Sequence, residues 1–203
     1  NSSSGRLTAT SFAGDGSALT GISAGPGTGQ QFVHLKNSSG SLNNGGENVY
    51  AGYRAGASLA SGGAENTFYG TDAGRYTATG DYNTYIGHRA GENSTVGSNV
   101  AVGAEALRNN TSSNGSNTAV GVLALTANSS GWHNTAVGHY AAKSVTSGRE
   151  NTCLGQKAGE LLTTSSWNTF VGVEAGSDVT TSSNGSNTAV GYHAFKEASG
   201  AVE

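Results

Sequence analysis

The chain has 203 residues, of which 34% are hydrophobic, with 33 glycines, 1 proline and no methionine; this argues against a conventional core of large apolar side chains. Charged residues make up only 11%, which argues against a disordered polyelectrolyte. The net charge of -3 comes without a basic block, so nucleic acid is not an expected partner, and no apolar run is long enough to insert into a membrane as a helix.

Residues 1–24 set short apolar patches around an Asp15-Gly16 turn, which predicts two brief strands. Residues 25–47 read as a linker, Gly25-Pro26-Gly27-Thr28-Gly29, followed by a lead-in strand from Gln31 to Lys36. From 48 to 203 one phrase recurs: Asn, Thr or Val, two variable residues, Gly, two variable residues, Ala. The nine copies start at Asn48, Asn66, Asn83, Asn99, Asn117, Asn134, Asn151, Asn168 and Asn187, at intervals of 18, 17, 16, 18, 17, 17, 17 and 19 residues. So short and regular a period predicts an all-β, quasi-one-dimensional stack, a parallel β-solenoid of nine rungs of about 17 residues. Only a stub follows the ninth copy, which predicts that the natural chain continues past Glu203.

Within a rung, with Asn at position 0, positions +1 and +3 are mostly β-branched or aliphatic and share one strand face. Position +2 faces the other way with the Asn and carries Tyr50, Phe68, Tyr85, Ala101, Ala119, Ala136, Cys153, Phe170 and Ala189. Glycine holds +4 in every copy: Gly52, Gly70, Gly87, Gly103, Gly121, Gly138, Gly155, Gly172 and Gly191. It supplies a positive φ or a close backbone approach. Alanine holds +7, and the recurring Asn predicts an amide ladder. Each rung is expected to hold one strand of roughly five residues, a turn, a second short strand and a variable loop. So thin a coil, apolar on both strand faces, is expected to bury one face against further copies of itself.

Position +6 begins Arg54, Asp72, Arg89, Glu105, an alternation that reads as an ion-pair ladder or as chance in a solvated column. The threonines at +1 could form a structural β-branched ladder or an ice-binding array. Tyr82, Trp132 and Trp167, just ahead of the Asn in their rungs, are the candidate ligand contacts, because exposed aromatics stack on sugar rings; they could equally cover loop or intersubunit surface. The five histidines form no His-x-His pair, no two carboxylates can be placed for glycoside hydrolysis, and Cys153 reads as a buried inert thiol. No catalytic, cofactor or metal pattern is found.

The phrase Asn117-Thr118-Ala119-Val120-Gly121 and its relatives resemble the head repeats of YadA-like trimeric autotransporter adhesins. They resemble still more closely the Asn-Thr-Ala-Val-Gly-Tyr-x-Ala repeats of phage tail fibres, as at Asn187–Ala194, and Phe12–Ile22 resembles a segment common in tail fibres, notably of cyanophages. The resemblance implies a left-handed β-roll, an intertwined or side-by-side homotrimer, and a role in attachment at a virion or cell surface, with a host-surface glycan or protein as partner. The intervals of 16–19 residues exceed the shorter, more uniform spacing of the adhesin heads, which favours the fibre. The expected function is a non-enzymatic structural or attachment segment of a trimeric phage tail fibre; the alternatives are an adhesin head and an ice-binding solenoid.

Overall fold

The computed structural model of the protein describes residues 33–35, 48–59, 63–111, 115–180 and 185–196. The strands expected in 1–24 and the linker at 25–29 lie outside them. The described chain is an all-β parallel solenoid without a helix among the described residues. β1 (Val33–Leu35) pairs antiparallel with β2 (Val49–Ala51). Then β3 (Thr67–Tyr69), β4 (Thr84–Ile86), β5 (Val100–Val102), β6 (Thr118–Val120), β7 (Thr135–Val137), β8 (Thr152–Leu154), β9 (Thr169–Val171) and β10 (Thr188–Val190) add in chain order, each parallel to the last. Equivalent positions pair at every step, as in Thr118↔Thr135, Ala119↔Ala136 and Val120↔Val137. Coils of 16 to 19 residues therefore share one register, and length changes are absorbed outside the strands.

Each strand has three residues, not the five expected, and no second strand follows it among the described residues. The glycine at +4 ends the strand. Its φ lies between +128° and +136° in all nine copies, a region closed to L side chains. From Gly52 to Gly172 a Cβ would also meet the carbonyl oxygen of the next rung's glycine at 2.3–2.6 Å. A chain of tight turns then takes the place of the expected second strand. The +7 N–H bonds back to the +4 carbonyl, as from Ala73 to Gly70, and +6 and +8 both take positive φ.

Among the described residues, 21 non-glycine residues have positive φ, and they fall into three columns. Nine are at +6, from Arg54 to His193; eight are at -1, from Glu65 to Ser186; and four are at +8, namely Leu107, Leu125, Ala142 and Phe195. Such a conformation costs an L residue on the order of 1 kcal/mol. Rung-to-rung hydrogen bonds offset it. The +6 N–H donates to the +5 carbonyl of the preceding rung (Asp72 to Tyr53, 2.8 Å), and the +8 N–H donates to the +7 carbonyl of the following rung (Gly74 to Ala90, 2.9 Å). The turns are thus hydrogen-bonded like a sheet although their dihedrals are not those of strands.

The asparagines form a second, buried ladder. Oδ1 of each Asn from Asn48 to Asn168 accepts the backbone N–H of the next Asn at 2.8–3.2 Å, eight steps without a break. The amide nitrogens mostly donate back to that oxygen or to the carbonyl three residues before the next Asn, as Asn134 does to Gly148 at 2.8 Å. The exception is at the 16-residue coil. There Asn99 donates to the Val96 and Gly97 carbonyls as well as to Asn83 Oδ1, and the Asn83 amide nitrogen is left without a partner among the described residues.

The core inside the coil is a line of side chains at +2, +7, +8 and +11. The +7 alanines from Ala73 to Ala175 are fully buried. The +11 column, Thr77, Ser94, Asn110, Asn128, Val145, Leu162 and Val179, is also buried. Positions +2 and +8 trade volume. Where +2 is Tyr50, Phe68, Tyr85 or Phe170, +8 is glycine, and a Cβ there would meet the aromatic ring at 2.5–2.9 Å. Where +2 is Ala101 or Ala119, +8 is Leu107 or Leu125, both fully buried.

Candidate functional site

The solenoid leaves three surfaces. The first is the outward face of the strands, carrying +1 and +3. Exposed on it are Val49, Tyr69, Ile86, Val100, Val137 and Val190, with the threonines between them exposed or half-buried. The +3 column, Val120 included, therefore points out of the coil, while +2 points in. Within the single chain a charge at Val120 stands on the outward strand face and not among the core residues.

The second surface is the turn edge at +6 and +9. Arg54 grips the buried Asp72 with Nε 2.7 Å from Oδ1 and Nη2 2.9 Å from Oδ2. Arg89 reaches Glu105 only at 4.0 Å. Further along, Arg108 at +9 bonds across the rungs to the buried Glu92 at 2.8 Å, and it also meets Glu105 at 3.3 Å. The alternation read along +6 alone is thus a two-column network over +6 and +9. Near the other end Lys196 bonds to Glu174 and holds its carboxyl below the usual range, with His193 3.2 Å away.

The third surface is the loop edge ahead of each Asn, and it carries Tyr82, Trp132 and Trp167. Tyr82 and Trp167 are exposed at -1 with positive φ; Trp132 is half-buried at -2. Tyr82 stands apart from the other two, precedes β4, and lines an open depression of about 400 Å³ with Thr79, Asp81, Thr95 and Ser98. The depression flanks the one-residue-short coil where the Asn ladder is perturbed. Trp132 and Trp167 are brought together by a residue the sequence reading missed. Arg149, in the rung between them, lies 5.2 Å from the centre of the Trp132 ring and 5.1 Å from that of Trp167. The Trp167 indole N–H donates to Glu150 at 3.1 Å, and His133 packs edge-on against Trp132 at 4.6 Å. Aligning rungs at -2 puts Trp132 and Arg149 in adjacent slots, a signal that was legible in the sequence.

Burial pushes the Cys153 thiol up to about 12, so it is protonated and unreactive at neutral pH. Burial likewise raises the Tyr85 phenol, whose hydroxyl donates to Asn83 Oδ1 at 2.9 Å and sits 2.8 Å from Ser94 Oγ. Among the described residues no group of three or more His, Cys, Asp or Glu side chains is placed to hold a metal ion, and no helix is long and apolar enough to cross a membrane. No family model, curated protein or solved structure matches the chain.

Proposed function

We propose that the chain is a non-enzymatic structural and attachment segment of a trimeric fibre, a phage tail fibre at the virion surface. In this reading three left-handed β-rolls associate through their outward strand faces and present their loop edges to a host-surface glycan or protein. The observation that carries it is the outward face of nine in-register strands, lined with valine, threonine, isoleucine and tyrosine. Contiguous apolar surface of that extent marks an interaction face, and a repeated, self-similar face suits cyclic association of identical chains. The repeat resemblance supplies the number three.

Sedimentation equilibrium tests the assembly. A species of three times the 20.2 kDa chain mass, persisting at low micromolar concentration, is the expected result; a stable folded monomer sinks it. Binding of intact assemblies to host cells, with Trp132 and Trp167 both changed to alanine, tests attachment through the loop edge. A cell-surface adhesin head shares the same arrangement and is distinguished by a membrane-barrel anchor in the full-length gene. The outward threonine column keeps the ice-binding reading testable by thermal hysteresis.

A further inference from the structure

We propose that the Trp132–Arg149–Trp167 cluster is a subsite for a carboxylate-bearing sugar, a uronic or nonulosonic acid residue of a surface glycan. This deepens the attachment reading and rests on it. Three consecutive rungs build the cluster, so its spacing is set by the stack and not by loop conformation. Trp132 belongs to the rung of Asn134, Arg149 to that of Asn151 and Trp167 to that of Asn168. Two backbone bonds lock the rungs at this point: Glu150 N–H to the Trp132 carbonyl and Trp167 N–H to the Arg149 carbonyl, both at 3.0 Å.

Arg149 is unlike the other described arginines. Arg54, Arg75, Arg89 and Arg108 each have a carboxylate partner. Arg149 has none among the described residues; its guanidinium is held by the two indoles. A cation held by aromatic rings keeps its planar fork of N–H donors free. That fork matches a carboxylate in bidentate geometry. Trp167 is 49% exposed, which leaves indole surface for the apolar face of a sugar ring. The neighbouring acid, Glu150, is engaged with the indole N–H of Trp167 and so fixes that ring. One rigid element thus offers a flat apolar plate beside an unpaired cation, which is what an acidic pyranose presents in reverse. A neutral sugar would use only the plate.

Trp132 and Trp167 are the only two tryptophans in the chain, so the intrinsic emission of the intact protein reports on this site. The experiment titrates the folded assembly with oligogalacturonate, alginate oligomers, hyaluronan oligomers and oligosialic acid, each beside its methyl ester, which keeps the ring and removes the charge. At least one acidic series is expected to shift the emission saturably, with its ester weaker by about tenfold or more. Arg149→Gln should abolish that preference, and Arg149→Lys, which keeps the charge but loses the fork, should retain only part of it. Glu150→Gln keeps an oxygen that can accept the Trp167 indole N–H but removes the neighbouring negative charge, and should raise the ratio of acid to ester affinity. Equal binding of acid and ester, or a preference that survives Arg149→Gln at unchanged melting temperature, would overturn the proposal. If both forms bind and Trp167→Ala removes both, the acidic specificity is wrong and attachment through the loop edge stands. If none of the four series binds and Trp132→Ala/Trp167→Ala assemblies still attach to cells, both readings fall.

Discussion

Rungs two and three and rungs four and five fill the same hollow in opposite ways. In β3 and β4 the volume comes from the strand: Phe68 and Tyr85 stack at 5.0 Å and 7°, and the turn facing them carries Gly74 and Gly91. In β5 and β6 the strand carries Ala101 and Ala119, and the turn supplies Leu107 and Leu125 at the same +8 position. The backbone there is equally left-handed, with φ of 56° and 57° at the glycines against 49° and 50° at the leucines. In these four rungs the solenoid therefore keeps the volume inside the coil and changes the residue that provides it. A leucine in a left-handed turn is strained, and the rung retains it because the alternative is an empty core.

Between the two ways of filling the coil, the largest effect should come from forcing both into one rung. Gly91→Leu adds a side chain whose Cβ alone lies 2.5 Å from the Tyr85 ring, at a φ of +57°. The expected loss is about 3 kcal/mol or more, read as a fall in denaturation midpoint. Adding Tyr85→Ala should restore much of it, because that rung then copies rung four. A double-mutant cycle without favourable coupling would show that the two positions do not share one space.

Next in size is emptying a rung. Phe68→Ala leaves both +2 and +8 without volume, an expected loss of about 3–5 kcal/mol. Leu125→Ala should cost less, about 2–3 kcal/mol, since Ala142 already occupies a +8 slot. Matching losses for the two variants, measured by urea denaturation, would break the comparison.

These columns also mark what could be read from the sequence. The asparagines, the +4 glycines and the +7 alanines are invariant because each has one neighbour geometry to satisfy at every rung, so recurrence alone exposes the parallel stack. Position +11 was missed because Leu59, Thr77, Ser94, Asn110, Asn128, Val145, Leu162 and Val179 have no common character. Each answers to what its own rung needs; Ser94, for example, sits beside the Tyr85 hydroxyl. The left-handed columns at +6 and -1 are invisible because their residues, Arg, Asp, Glu, Leu, Tyr, Lys and His at +6 and Glu, Tyr, Ser, His and Trp at -1, share no type and include no glycine; cross-rung hydrogen bonds impose the positive φ. On the loop edge, Trp132 and Trp167 stand out in the sequence as aromatics, whereas Arg149 gains its meaning only when the rungs are stacked, and Tyr82 lies apart from them beside the open depression.

Cys153 sharpens the comparison at an intermediate size. Its rung combines a small +2 residue with Gly159 and draws its volume from Leu162. The thiol is raised from an ordinary 9.0 to about 12. Its contribution to stability is therefore complete below pH 9 and is lost as pH rises towards about 12, because the unfolded chain ionises first. Tyrosines add a similar loss from a higher onset. The expected signature is a stability difference between the wild type and Cys153→Ala that shrinks above pH 9. A difference constant across that range would place the thiol in contact with solvent.

The smallest effect on the coil itself, and the most informative about assembly, should come from its outer face. Ala119 and Val120 are neighbours in β6, the first fully buried and the second turned outward. Ala119→Asp puts an unpaired carboxylate among Leu107, Leu125 and the other core residues and should prevent folding. Val120→Asp puts the same charge on the outer strand face, where an isolated coil should lose no more than about 0.5 kcal/mol. If that face is packed against two further copies, the charge is buried there instead, three times over. Folded monomer should then replace the trimer in sedimentation while circular dichroism keeps its β signature. A Val120→Asp protein that sediments as the wild type does would mean that the strand face is free, and association would have to be sought on the turn edge or the loop edge.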